Sequence, residues 1–199
     1  MKPFQTIFLR VSILLLALFL SACSTLNQFQ TAPKELPLDI KKLDSWTVRG
    51  KVLIKTETEN LSGYFYWQKQ QDSVQFSLNT FIGTNILTLI TKNNLSTLEV
   101  DGKVYKDRSA SRLIRRTTGI QLPLEKLELW IRGQLAGKEK SIIKNGNQIK
   151  QFDYTGTEQK WQVKYSKYQQ QKIYTLPMLI NLTTKGTKLK LSVSNWEFN

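Results

Sequence analysis

A single cysteine stands in this chain of 199 residues, and its neighbours define what the thiol is for. Cys23 closes the string Leu20-Ser21-Ala22-Cys23 behind an aliphatic run, Val11 to Leu20, which Lys2 and Arg10 precede. The small side chains of Ser21 and Ala22 let a peptidase seat the backbone. The thiol that follows is a nucleophile able to take a diacylglyceryl group and, once the leader is cut, to carry an N-acyl chain on its new amino terminus. An apolar run of about ten residues is half of the ~20 needed to cross ~30 Å of hydrocarbon. Residues 1–22 therefore read as a cleaved lipoprotein signal peptide and not as a span. Two or more acyl chains on Cys23, at roughly 0.8 kcal/mol per buried methylene, make a stable anchor. Ser24 stands where lipoproteins kept at the inner membrane typically carry Asp, so the expected location is the periplasmic face of the outer membrane of a Gram-negative bacterium.

Other reactive chemistry is scarce. With no histidine in the chain, Ser-His-Asp and Cys-His nucleophile systems and the commonest zinc ligand are all excluded. The close carboxylate pairs, Glu57 with Glu59 and Glu125 with Glu128, fall at a strand end and in the first turns of a helix. There, negative charge complements the helix dipole, and nearness in sequence does not set a catalytic separation. Gly133 to Glu139 superficially resembles a phosphate loop, but its glycine spacing is short and Glu139 stands where Ser or Thr should bind magnesium. The expectation is a protein that is not an enzyme, with no catalytic residue, no metal, no nucleotide and no cofactor beyond the covalent lipid. Cys23 is committed to that lipid, so packing without disulfides must hold the fold.

The chain carries 29 basic and 15 acidic residues; the leader removes Lys2 and Arg10, leaving 177 residues with a net charge of about +12. Such a balance favours anionic partners. Arg112, Arg115 and Arg116 cluster, and lysines mix with aromatic residues from Lys160 to Lys172. That mixture also suits nucleic acid, but the compartment argues against it. A solvated face, an acidic protein partner and anionic lipid headgroups stay open as readings of these clusters.

The elements follow from periodicity. Ser24 to Leu38 is polar, holds Pro33 and Pro37, and reads as a tether reaching roughly 45 Å at full extension. A short helix is expected between Leu38 and Asp44. From Trp46 the pattern alternates, with Trp46, Val48, Val52 and Ile54 on one face and Thr47, Arg49, Lys51 and Lys55 on the other. Further strands follow: Leu61 to Trp67, Val74 to Leu78, Asn85 to Ile90 (apolar on both faces), Leu95 to Val100 and, after Asp101-Gly102, Lys103 to Lys106. Helical spacing then marks Ser109 to Thr117 and Pro123 to Arg132. Alternation resumes in Ser141 to Lys144, through Asn145-Gly146 to Gln148–Tyr154, then at Trp161, Val163 and Tyr165, and in Leu176 to Thr183 and Thr187 to Trp196. About ten antiparallel strands broken by one helical insert predict a strongly curved sheet or barrel, with helices on its concave side or across its opening. The organisation is a signal peptide (1–22), a lipidated tether (23–37) and one domain (38–199).

On these strings the chain resembles the LolB family of outer-membrane lipoprotein receptors, which accept lipoproteins from the periplasmic carrier LolA. The matching strings are Tyr64-Phe65-Tyr66-Trp67-Gln68, Gly83 to Leu89, Leu122-Pro123-Leu124, Leu129-Trp130-Ile131 with Gly133, Lys160-Trp161-Gln162-Val163, Leu189-Lys190-Leu191 and Asn195-Trp196. They run in order from about Leu43 to the C-terminus. The resemblance implies an incomplete antiparallel β-barrel of about eleven strands with a helical lid over a hydrophobic cavity. It implies lipid-modified cargo, the carrier and outer-membrane phospholipid as partners, and action as a monomer. The residues it assigns to an acyl cavity or its supporting core are Phe65, Trp67, Phe76, Leu78, Leu113, Leu127, Trp130, Ile131, Trp161, Val163, Tyr165, Met178, Ile180 and Trp196.

Asn79-Thr80-Phe81-Ile82-Gly83 divides two readings. By itself, a segment with two large apolar residues reads as a buried strand that continues. The family has a protruding Asn-Pro-Leu-Gly-like loop whose exposed leucine contacts the membrane. Ile82 takes the leucine's place, and Phe81 replaces the proline. The alternative to the receptor reading as a whole is a structural or assembly lipoprotein with a solid core, binding a protein partner through its sheet.

Overall fold

A computed structural model describes residues 36–156 and 159–198; Cys23 and most of the expected tether lie outside the described residues. The described chain begins with a 3-10 turn, Ile40–Lys42, in which the Lys41 amide donates to the Asp39 side chain and the Lys42 amide to the Asp39 carbonyl. It then builds eleven strands: β1 (Ser45–Lys55), β2 (Asn60–Gln70), β3 (Ser73–Asn79), β4 (Asn85–Lys92), β5 (Leu95–Val100), β6 (Lys103–Asp107), β7 (Glu139–Asn145), β8 (Gln148–Thr155), β9 (Lys160–Gln171), β10 (Tyr174–Thr184) and β11 (Thr187–Phe198). Helices α1 (Ala110–Thr118) and α2 (Leu124–Trp130) separate β6 from β7.

All strands join one antiparallel sheet in the order β6-β5-β4-β3-β2-β1-β11-β10-β9-β8-β7. The first and last strands, β1 and β11, meet in its middle, and the helical insert links its two edges. The alternation expected for β1 holds, with one exception: Thr47 is buried between the longer Gln68 and Glu197 of the adjacent strands. β4 departs from its double-sided apolar reading, because Ile90 faces out while Leu87 and Leu89 face in. An antiparallel sheet curled round one core has a solvated outer face, even where the sequence on it is apolar.

Turns set the register. Asn93-Asn94 and Asp101-Gly102 both have φ > 0 at their two central residues, the geometry that matches strand twist in two-residue hairpins. Between β7 and β8 the turn falls one residue later than the Asn145-Gly146 signal suggests, on Gly146-Asn147, because Asn145 still pairs with Gln148.

The ladder between β10 and β11 covers Leu179–Thr184 only; Tyr174 to Pro177 pair with β9 alone, and the end of β11 pairs with β1 alone. Pro177, which has no N–H to give, sits in this half-paired stretch. The entry segment packs beside it. Tyr174 donates its hydroxyl to the Pro37 carbonyl (2.7 Å) and stands edge-on to Phe198, and Ile40 and Leu43 are buried. Entry segment and β10 start thus share the end of the sheet opposite the β1–β2, β3–β4 and β10–β11 connections.

Candidate functional site: an apolar chamber under two helices

Inward side chains of β1 to β5 and β11 face Ile114 and Thr117 of α1 and Leu124 and Leu127 of α2 across an open chamber of about 530 Å3. That volume lies within the ~300–1,000 Å3 of small-molecule sites. Val52, Ile54, Leu61, Leu189 and Leu191 form one wall, with Trp67, Phe76, Leu78, Ile86 and Leu87 opposite them. Trp67, Phe76 and Leu124 also line a recess of about 250 Å3 that reaches Val74 and Leu89. A polar cleft of about 680 Å3 shares Glu59, Thr118 and Ile120 with the chamber and opens between the β1–β2 and β10–β11 turns. It is the chamber's outer mouth.

The lid helices are placed by polar contacts at their ends. Ser109 caps α1 through the Arg112 amide, and Gly119 ends it in a left-handed conformation at φ 70°. Asp107 takes the Arg112 guanidinium in two oxygens; these bonds and the Ser109 amide hold its carboxyl well below the usual range. Glu125 joins the helices, accepting from the Ser109 hydroxyl (3.2 Å) and from the Ser111 amide and hydroxyl. Burial would raise its pKa, but these hydrogen bonds outweigh it and lower the value. Behind α2, Glu139 accepts the Trp130 indole N–H (2.8 Å) and the amides of Ala136 and Gly137. These bonds likewise overcome burial and lower its pKa.

Arg132 is the largest surprise against the sequence. It is only 2% exposed, donates to the carbonyls of Ile40 (2.9 Å) and Glu128 (3.2 Å), and lies over the Trp46 ring. Glu128, 3.5 Å from it, also receives Lys69 of β2 at 2.6 Å. An arginine in the last turn of a short amphipathic helix reads as solvated, and nothing in its sequence neighbourhood signals this burial.

The fourteen residues assigned to cavity or core divide by position. Trp67, Phe76, Leu78 and Leu127 line the chamber. Phe65 stacks behind Phe76, and Leu113 is buried under α1. Trp130, Ile131, Trp161, Val163 and Tyr165 belong to a packed region under β8 and β9, where Trp130 meets Phe152 and Tyr154, and the Tyr165 hydroxyl donates to the Trp130 carbonyl (2.8 Å). Met178, Ile180 and Trp196 lie in the core near Trp46 and β10. The aliphatic wall from β1, β4 and β11 was not singled out. Its alternation marks it as inward, but alternation cannot separate a cavity wall from filled core.

The 79–83 segment is not a continuing buried strand. β3 ends at Asn79, and Thr80 to Thr84 form a tight loop in which the Thr80 amide donates to the Thr84 carbonyl (2.8 Å) and the Thr84 amide to the Thr80 hydroxyl (3.0 Å). Gly83, at φ 90°, completes the turn. Ile82 is 91% exposed, and Phe81, 55% exposed, leans on Tyr64. The loop leaves the same end of the sheet as the chamber mouth. Among the described residues no helix is long and apolar enough to cross a membrane.

Comparison with known proteins bears on this arrangement. Residues 44–196 match the family model described as outer membrane lipoprotein LolB. The outer-membrane lipoprotein LolB of Shewanella baltica (strain OS223) is 34% identical over 182 residues, 90% of this chain and 85% of that protein. That of Pseudoalteromonas translucida (strain TAC 125) is 32% identical over 185 residues, covering 92% and 91%. A solved lipoprotein-sorting protein domain from Vibrio parahaemolyticus, described as a putative outer-membrane one, shares the fold at a TM-score of 0.52, covering 79% of this chain and 86% of that one at 11% identity. The chain belongs to the LolB family of outer-membrane lipoproteins.

Proposed function

We propose that this protein is anchored to the outer membrane through acylated Cys23, accepts lipoproteins from the periplasmic carrier LolA by their acyl chains, and passes them into the membrane without nucleotide hydrolysis. The observation that carries this reading is an apolar chamber of about 530 Å3 whose mouth opens at the end of the sheet that bears the exposed Phe81-Ile82 loop. The acyl chains of a lipoprotein together hold dozens of methylenes, and at roughly 0.8 kcal/mol each their exposure to water costs tens of kcal/mol. Cargo must therefore move from one apolar site directly to another, and the direction comes from rising affinity. A difference of ~1.4 kcal/mol per step biases transfer tenfold.

In this mechanism the walls of β1, β2 and β11 receive the chains, α1 and α2 exclude water above them, and Phe81 and Ile82 enter the leaflet to bring mouth and bilayer together. A solid-cored assembly scaffold does not account for the open chamber. The decisive experiment mixes the mature chain carrying Cys23→Ala with carrier loaded with a lipid-modified cargo and separates the two proteins. Cargo recovered on this chain without nucleotide supports the receptor reading; cargo left on a competent carrier overturns it. Ile82→Glu should still take cargo from the carrier but slow its delivery to liposomes by more than about tenfold, because the charge opposes insertion. Unchanged delivery would remove the loop from the mechanism.

A further inference from the structure

Five lysines stand side by side on the outer face of the sheet without a carboxylate partner among the described residues. Lys51 and Lys55 come from β1, Lys188 and Lys190 from β11, and Lys164 from β9; all are exposed. Lys55 lies directly opposite Lys188, Leu53 opposite Lys190, and Asn181 of β10 lies between Lys190 and Lys164. With strands ~4.8 Å apart, the field is about 15 Å wide across four strands. Like charges placed directly opposite each other destabilise a sheet, so the Lys55 and Lys188 pair calls for a compensating anion. The described residues do not supply it: Glu197 is taken by Arg49, and Glu57 and Glu59 line the chamber mouth on the turn beyond Lys55.

The field runs without interruption into the apolar loop. The Lys51 ammonium lies 5.7 Å from the centre of the Tyr64 ring, and Tyr64 meets Phe81 edge-on at 5.2 Å, next to Ile82. We propose that this outer face, from the β3–β4 loop across β1 to β11, binds the headgroups of anionic phospholipids in the leaflet that Phe81 and Ile82 enter. Lysine suits that partner: a compact charge on a flexible stem follows mobile phosphates, and a tyrosine between cations and an apolar tip matches the headgroup level. The inference rests on the proposed function only in taking the loop as the membrane contact.

The anchor permits this placement. The entry segment is fixed by Tyr174 at the end of the sheet away from the loop, and β1 spans about 36 Å. The chain between Cys23 and Leu36 reaches at most about 45 Å, enough for the loop to meet the leaflet that holds the lipid.

The test is co-sedimentation of the mature chain carrying Cys23→Ala with vesicles of phosphatidylcholine alone, or with one quarter phosphatidylglycerol. Tighter binding to the anionic vesicles, lost in high salt, is expected. The triple variant Lys51→Gln, Lys188→Gln, Lys190→Gln should keep its melting temperature and its binding to neutral vesicles. It should bind the anionic ones about 100-fold less tightly, roughly fivefold per lysine. Ile82→Ser, which adds no charge, should weaken both by the same factor, and failure of that result alone removes the loop while the lysine field stands. A triple variant that binds anionic vesicles like its parent, or a parent that does not distinguish the two vesicles, overturns the proposal. So does a triple variant that loses only its binding to the carrier, which would assign the field to an acidic protein.

Discussion

Trp67 shows how much one side chain carries and how little of that its sequence context announces. It lines both the chamber and the recess behind it, packs edge-on against Trp46 and Phe76, and buries an indole N–H with no partner among the described residues. An unsatisfied buried donor costs about 1–3 kcal/mol. Trp67→Phe removes that cost along with some ring volume, so urea unfolding should place it within about 1 kcal/mol of the parent, whereas Trp67→Ala should lose about 3–5 kcal/mol. Four residues earlier on the same strand, Gly63 has no room for a side chain, since an added Cβ would lie 2.1 Å from the Asn79 carbonyl oxygen at the root of the loop. Gly63→Ala should destabilise by about 3 kcal/mol or more in the same measurement, because backbone and not a mobile side chain must yield. From alternation alone the inward position of Trp67 was legible, as were those of Trp161 and Trp196. Which of the three lines the chamber was not, because that depends on which strands the lid helices cover, a long-range fact with no local period.

At the level of elements, the strands were legible and their joints less so. Period-two patterning located the strands and helical spacing both helices, although β6 and β7, at the sheet edges, hold no buried residue. The half-open seam between β10 and β11 and the buried Arg132 that ties α2 to the entry segment were not legible. Both arise where elements distant in sequence meet. The two helices are stitched together by Glu125 and Ser111, whose hydroxyl also accepts the Leu124 amide at 3.0 Å. They should therefore open as one unit. Ser111→Ala should cost about 1–2 kcal/mol, and hydrogen exchange should show α1 losing amide protection while β1, β2 and β11 keep theirs. Equal loss in the sheet would mean that the lid is not a separate cooperative unit.

For the whole molecule, composition dictates the response to pH. With no histidine, the chain lacks the side chain whose ordinary pKa lies nearest neutrality. Asp107, Glu125 and Glu139 have folded pKa values below their unfolded ones, so what they contribute is present above about pH 4 and is lost as pH falls through the folded values. Burial raises Tyr165 and pushes Tyr168 up to about 12. Their share is complete below the unfolded tyrosine value near 10 and is lost as pH rises through the folded one. Calorimetry should therefore show a melting temperature flat from about pH 5.5 to 9 and falling on both sides. With no histidine to titrate across that plateau, vesicle binding should also be flat in pH while it falls steeply with salt, whose screening length is ~8 Å at physiological ionic strength. A step in binding near pH 6.5 with stability unchanged would count against the lysine field, since the phosphodiester headgroups of the test vesicles do not titrate there and the chain has no histidine.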